Sequence, residues 1–378
     1  MADRLNNRII INAGTYKEAF IADKPCILES SFDGAVTIGD LSAEATTTLK
    51  IATLNTHLFG DLIVSDGTWH DETRAVHIGE ICAASDWDVV AFQEIWDDDL
   101  FFGYDGQPGI WPISGFPDDD HGTLLDCVGC INSGLAIMSR LNIDYFGQRF
   151  FSACDGNPCE LPDCLSAKGW LEARMFKDGF HIAIFNSHTQ AGNDSDEAVA
   201  RLFQVVCMLL RALELRDEFP EITIVIVGDL NIRGESDEYM SYVNLFLGDY
   251  PLIEELYGIF VAAAVELAFE DRLEELAGFW DGARNVPGFD EAEHYTNSSE
   301  NLLSLCFDED TFDARLDYVI TIPPQDGSAT VIPVAVKVFP FRSENLTGEC
   351  SEGDYDPLTS NEKSDHWAVE AELKFYRN

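Results

Sequence analysis

Five polar clusters stand where short apolar runs of this sequence break off. Asn55 and His57 follow Leu49 to Thr53, Glu94 follows Val89-Val90-Ala91-Phe92-Gln93, and Asn186-Ser187-His188-Thr189-Gln190 follows an apolar stretch that starts at His181. Val227-Gly228-Asp229-Leu230-Asn231 ends another run, and Ser364-Asp365-His366-Trp367 leads into Ala368 to Leu373. A carboxylate and an amide oxygen are ligands that a hard cation takes, with water completing its shell. Glu94 and Asn55 are therefore the candidate residues for Mg2+, for which Mn2+ or Co2+ could substitute. Histidine gains and loses its proton near neutral pH, which makes His188 and His366 the candidates for acid and base work. Asp229 and Asn231, two apart after a strand, point to one side: the carboxylate orients a water or a histidine, and the amide donates to substrate. Asp365, beside His366, completes the set. Each residue alone has a bland explanation, since a carboxylate at a strand end often caps a helix and a histidine often packs or bonds a carbonyl. His57, His70, His77, His121, His181 and His294 are read that way, as structural.

Groups so placed need strands to carry them. Apolar runs of strand length occur at Leu49 to Thr53, Val89 to Phe92, Leu135 to Met138, His181 to Asn186, Thr223 to Val227, Leu316 to Ile320 and Ala368 to Leu373. Helical periodicity separates some of them, at about Thr73 to Ala84, at Leu252 to Leu276, and most regularly from about Asp196 to Glu218. In that last segment Val199, Leu202, Phe203, Val206, Leu209, Leu210 and Leu213 share a face, and Asp194 or Ser195 can cap it. Strands alternating with helices imply an α/β layered domain from residue 49 to 378. Residues 1–48 differ. Arg8 to Asn12, Phe20 to Asp23, Cys26 to Glu29 and Ala35 to Ile38 read as short strands between turns, a small β-rich extension. Ile11-Asn12-Ala13-Gly14-Thr15-Tyr16-Lys17-Glu18, followed by Asp23-Lys24-Pro25 and Val36-Thr37-Ile38-Gly39, resembles one coil of a parallel β-helix of the pectin-lyase type. A single coil cannot bury its own faces, so it should dock on a neighbour.

The order Asn, Glu, His, Asp-x-Asn, Asp-His is similar to that of the endonuclease/exonuclease/phosphatase superfamily, and the likeness spans residues 49–378. Within it the chain most resembles the neutral and bacterial sphingomyelinases. The phrases that carry this are Ser133-Gly134-Leu135-Ala136-Ile137-Met138-Ser139-Arg140, Asp163-Cys164-Leu165-Ser166-Ala167-Lys168-Gly169, His188-Thr189-Gln190-Ala191 and Arg315-Leu316-Asp317-Tyr318-Val319. The resemblance implies a four-layer α/β sandwich, two packed mixed sheets flanked by helices. It also implies a magnesium-dependent phosphodiesterase that releases phosphocholine from sphingomyelin or a related phospholipid at a membrane surface. Asp163 and Lys168 would stand on a loop beside the catalytic centre; by composition alone they would be an ordinary surface ion pair. His366 would act as general base with a partner carboxylate across the site, and His188 would stabilise the phosphorane or protonate the leaving alkoxide. Two departures concern the headgroup: many relatives carry an aromatic after the asparagine that corresponds to Asn55, and Trp96-Asp97-Asp98-Asp99 is unusually acidic.

Composition bears on the substrate. With 68 acidic and 23 basic residues among 378, the formal net charge is −45, which repels a phosphate backbone. No stable nucleic-acid complex is expected, whereas a cationic choline suits an acidic mouth. A DNase-like endonuclease with the same catalytic set would have only Arg140, Arg149, Lys168 and Arg174 within reach by sequence. A catalytically silent binding module is the other alternative, against which the full polar set argues. Hydrophobic residues make up 46% of the chain and charged ones 24%, a globular balance, and no run of 18 apolar residues suggests a membrane helix. Met1 to Asn7 lack the apolar core of a secretory leader. Ten cysteines nevertheless favour an oxidising, extracellular setting. Cys127, Cys130, Cys154, Cys159 and Cys164 crowd into a Gly/Pro/Asp-rich stretch where disulfides are expected ahead of zinc, while Cys26, Cys82 and Cys207 sit in apolar segments that read as core.

Overall fold

Side chains on a strand alternate between its two faces, and the apolar residues of this chain alternate so as to fill both. The computed structural model describes residues 26–33, 46–58, 71–96, 113–115, 133–151, 168–246, 251–269, 280–286, 289–301, 312–341 and 364–378, with 272, 275 and 303. Thirteen strands among them form two mixed sheets. One sheet has the order β12-β13-β2-β3-β5-β4, built from Ala329–Phe339, Ala368–Arg377, Thr46–Leu58, Val89–Ile95, Ala136–Ser139 and Ile113–Gly115. The other runs β1-β6-β7-β8-β9-β11-β10, from Cys26–Asp33, Ile143–Phe151, Gly169–Lys177, Phe180–His188, Thr223–Asp229, Asp317–Ile322 and Trp280–Asp281. β2 pairs parallel with β3, and β8 pairs parallel with β9; the other pairings are antiparallel.

The sheets pack face to face. Leu49 and Ile51 of β2, Val89 and Ala91 of β3 and Ala371, Leu373 and Phe375 of β13 meet Leu171, Ala173 and Met175 of β7, Ile182 and Ile184 of β8, Val225 and Val227 of β9 and Val319 of β11. The alternate residues face outward under helices. Ala52, Leu54, Val90 and Phe92 lie under Ala75, Ile78 and Cys82 of α1, Asp71–Ala84. Trp170, Phe185, Ile224 and Ile226 lie under Leu202, Phe203, Val206, Leu209 and Leu213 of α2, Ser195–Glu218. The architecture is thus the four-layer α/β sandwich. Cys82 and Cys207 are buried, and Trp170 is core.

Local chemistry accounts for the helix limits. Asp194 caps α2 in a capping box, its backbone N–H donating to Glu197 Oε2 at 2.6 Å. The helical stretch expected over Leu252 to Leu276 divides instead into α4, Pro251–Tyr257, and α5, Ile259–Phe269, which follow α3, Asp237–Phe246. Gly258 separates them with φ 88°, a left-handed conformation that glycine adopts without penalty, and its N–H closes α4 on Glu254 O at 2.9 Å. Of the extension at residues 1–48, β1 pairs antiparallel with β6 at the margin of the larger sheet, and β2 starts at Thr46. The rest of the β-helix-like segment lies outside the described residues, as do Asp163 and the five cysteines from Cys127 to Cys164.

One buried charge ties α2 to its sheet. Glu172 of β7 is fully buried, with Arg174 Nε at 2.8 Å, Arg211 Nε of α2 at 2.9 Å and Arg149 Nε at 4.0 Å. Burial works against its ionisation, yet Arg211 and Arg174 outweigh burial and hold the carboxyl below the usual range. A depressed folded pKa gives stability that is present above the unfolded pKa and lost as pH falls through the folded one. Glu172→Gln should therefore cost about 3 kcal/mol in urea unfolding at pH 7, the scale of a broken buried pair. The difference from wild type should shrink as pH drops below about 4, the ordinary glutamate value. A constant difference would show that packing, not charge, is lost.

Candidate active site

Strand alternation carries the inward faces straight into a cluster of polar groups. Asn55 continues the row of Leu49, Ile51 and Thr53; Asp229 continues Val225 and Val227; His188 continues Ile182, Ile184 and Asn186; Asp317 precedes Val319 by two. Glu94 has the opposite parity and should point outward, with Val90 and Phe92. Its φ of 58° turns the chain and brings the carboxylate back to the site. Gly228, at φ 129°, lets β9 pass β8 there, since a Cβ would lie 1.9 Å from Ser187 O.

Asn55 Nδ2 joins the sheets by donating to Glu94 Oε1 at 2.8 Å and to Asp229 Oδ2 at 3.0 Å. Close by, Gln93 Nε2 donates to Asn186 Oδ1 at 2.7 Å, and Asn186 Nδ2 donates to the carbonyls of Phe92 and Ala136. Asp229 is the hub. Its Oδ1 accepts from the Asn231 N–H at 2.8 Å, and its Oδ2 lies 3.8 Å from His188 Nε2 and 3.9 Å from His366 Nε2. His188 Nε2 is also 3.7 Å from Glu94 Oε1 and 3.1 Å from Lys168 Nζ. Lys168, buried, donates further to Thr189 O at 3.1 Å. His366 Nδ1 is 2.8 Å from Asp317 Oδ2, and the antiparallel pairing of β9 with β11 sets Asp317 opposite Asp229.

The charges are mutually dependent. Burial opposes ionisation of Glu94, but His57, His188 and Asn55 prevail and hold its carboxyl well below the carboxylate range. Burial and the neighbouring Asp317 push Asp229 up, against His366, His188 and Asn55. His366 is driven well above its ordinary value, because Asp317 and Asp229 overcome the desolvation that would lower it. Desolvation of His57 is likewise outweighed by Asp365 and Glu94, and its pKa is pushed up to about 9. Asp365 lies below its usual value, since His57 outweighs burial.

The donor set fits a divalent cation. Glu94, His188 and Asp229 each offer a ligand atom within 4.8 Å of the others, and Asp229, Asp317 and His366 do the same. Glu94 Oε2 is buried without a hydrogen bond among the described residues.

The sequence candidates Glu94, Asn55, His188, Asp229, Asn231, Asp365, His366 and Lys168 thus converge, while Asp163 lies outside the described residues. Three roles differ from expectation. Asn55 turns its amide nitrogen toward the carboxylates while its oxygen accepts from the His57 N–H at 3.1 Å, so it holds Glu94 here rather than facing a cation with oxygen. Asn231 Nδ2 is spent on Thr189 O at 3.1 Å. Asp365 does not serve its neighbour His366; it faces His57 Nδ1 at 3.1 Å. His57, expected to be structural, and Asp317 join the site in addition. His181 and His294 are structural as expected: His181 stacks on Phe176, and His294 bonds Asp290 O.

Removing the Asp317 charge should lower the His366 pKa toward its ordinary value of about 6.5, because an anion favours the imidazolium. In Asp317→Asn, NMR titration of histidine-labelled protein should show that fall for His366. An unmoved resonance would dissociate the two residues.

The comparisons fit this geometry. The fold is similar to that of beta toxin from Staphylococcus aureus, in a mutant form with bound magnesium ions: TM-score 0.61, 17% identity, covering 88% of this chain and 100% of the other. Sphingomyelinase C from Streptomyces griseocarneus gives 0.58 and 18% over 88% of this chain and 100% of its own. D. rerio TDP2 complexed with single strand DNA product gives 0.54 and 16%, covering 87% of this chain and 99% of that one. No curated protein matches in sequence. The sequence model of the endonuclease/exonuclease/phosphatase family matches residues 52–366, from within β2 to His366 itself, and the chain belongs to that family.

Proposed function

We propose that the protein is a divalent-cation-dependent phosphodiesterase that hydrolyses sphingomyelin or a related phospholipid and releases phosphocholine. The observation that carries this reading is the meeting of Glu94, His188 and Asp229 from opposite sheets beside the Asp317–His366 pair. A Mg2+ ion held by Glu94 and Asp229 would supply Lewis acidity to a phosphoryl oxygen. The chain's own groups do the rest. His366, oriented through Nδ1 by Asp317, is placed to take a proton from water; positive charge brought to Asp229 favours the neutral ring that this requires. His188, with Lys168 Nζ at 3.1 Å, is placed to meet charge developing on the phosphate or to protonate the leaving alkoxide. Nothing in this scheme needs a covalent enzyme intermediate.

Charge supports a lipid headgroup over a polynucleotide. Arg149 and Arg174 lie within 4.0 Å of Glu172, and Arg140 donates to the carbonyl of Ser85 at 2.8 Å. Three of the four cations nearest by sequence are therefore engaged away from a phosphate track, on a chain of net charge −45. The phrases around Ser133, Lys168, His188 and Asp317 support the sphingomyelinase type. The same reading takes the protein to act outside the cell with the cysteines of the 127–164 stretch paired, supported by their crowding.

Chelator-treated protein resupplied with Mg2+ should hydrolyse sphingomyelin in mixed micelles faster than it nicks plasmid DNA, and should cleave a chromogenic phosphodiester slowly. Glu94→Ala should abolish metal-dependent turnover with the fold intact by circular dichroism. His188→Ala and His366→Ala should each lower the rate by roughly two to four orders of magnitude. DNA cleavage outrunning lipid would overturn the substrate class; turnover indifferent to chelation and to Glu94→Ala would overturn the chemistry.

A further inference from the structure

His57 has no task in this scheme, yet the fold invests in it. Its φ of 49° is left-handed, a conformation that costs energy for a residue with a Cβ. The surroundings impose it: the buried guanidinium of Arg74 on α1 donates to the carbonyls of Thr56 and His57, and the His57 N–H donates to Asn55 Oδ1. The result is to aim the ring into the site. Nδ1 stands 3.1 Å from Asp365 Oδ2 and 3.5 Å from Glu94 Oε2, the oxygen that lacks a hydrogen bond among the described residues. His57 Nδ1 thus stands between two carboxylate oxygens, at the oxygen of Glu94 that Asn55 leaves open. The structural histidines look different: His181 stacks on Phe176 and meets Phe219 edge to face, with Nδ1 on the surface residue Glu221.

We propose that His57 is a nitrogen donor to the cation held by Glu94, and that it moves the site's preference from Mg2+ toward borderline ions such as Mn2+ and Co2+. The proposal rests on the metal-dependent reading above and deepens it. Mg2+ prefers oxygen and keeps its waters, whereas imidazole gains in affinity along the first-row divalent series. Asp365 Oδ2, 3.1 Å from the same Nδ1, would stand beside that ion as a further oxygen. A histidine that only tuned charge or packing would affect Mg2+ and Mn2+ alike. The diagnostic quantity is therefore the ratio of their dissociation constants.

Calorimetric titration of the metal-free full chain with MgCl2 and with MnCl2 measures that ratio. Wild type, His57→Ala, His57→Asn and Glu94→Ala are compared, the last to subtract binding by surface carboxylates. The ratio of the Mg2+ to the Mn2+ dissociation constant at the Glu94-dependent site should fall about tenfold or more in both His57 variants. An unchanged ratio with binding still dependent on Glu94 overturns the role of His57 alone. So does an equal loss of both ions in the His57 variants, since a structural residue would act on them alike. Binding indifferent to Glu94→Ala overturns this proposal together with the metal-dependent function.

Discussion

The amide of Asn55 is the joint on which the site depends. It donates to Glu94 from its own sheet at 2.8 Å and to Asp229 from the other at 3.0 Å, so two carboxylates that would repel are held a side chain apart. Hydrogen bonds to charged acceptors are worth roughly 1.5–3 kcal/mol each, enough to fix a register between sheets whose packing is otherwise non-directional. The Gln93–Asn186 bond lies one residue before Glu94 and two before His188 and repeats the linkage. Apolar contact brings the sheets together; these amides decide how their ends align.

Once the ends are aligned, electrostatics follows from position. Glu94, Asp229, Asp317 and Asp365 are brought close together, an excess of negative charge that burial alone would not tolerate. The protein answers with imidazoles: His57 against Asp365 and Glu94, His366 against Asp317 and Asp229, and His188 between Glu94 and Asp229. Each carboxylate holds up the proton affinity of a histidine, and each histidine is placed where a reacting phosphate or a cation would draw on it. The overall charge of −45 adds to the same field, drawing cations and opposing polyanions.

Much of this was legible because strand-end polar groups interrupt apolar runs. Glu94, His188, Asp229 and His366 all announce themselves that way, and the superfamily order points to their roles and to the sandwich. What escaped depends on geometry that local sequence does not hold. His57 looks like any packed histidine until a left-handed backbone and Arg74 turn it inward. Asp317 gains meaning from the pairing of β11 with β9, a long-range register. The partnership of Asp365 with His57 depends likewise on a long-range contact, between a bend before β13 and the end of β2. Gly258, at φ 88°, divides a segment that is helical on both sides of it.

A cation lodged between the two sheets is the central claim, and its position, not its stoichiometry, is decisive, because so acidic a surface will bind divalent ions weakly at many places. Anomalous diffraction from crystals soaked in Mn2+ measures that position directly. A strong peak in contact with Glu94 and Asp229, absent from Glu94→Ala crystals, is the predicted result. Peaks confined to exposed carboxylates, with none inside the Glu94, His188 and Asp229 cluster at saturating Mn2+, would contradict it.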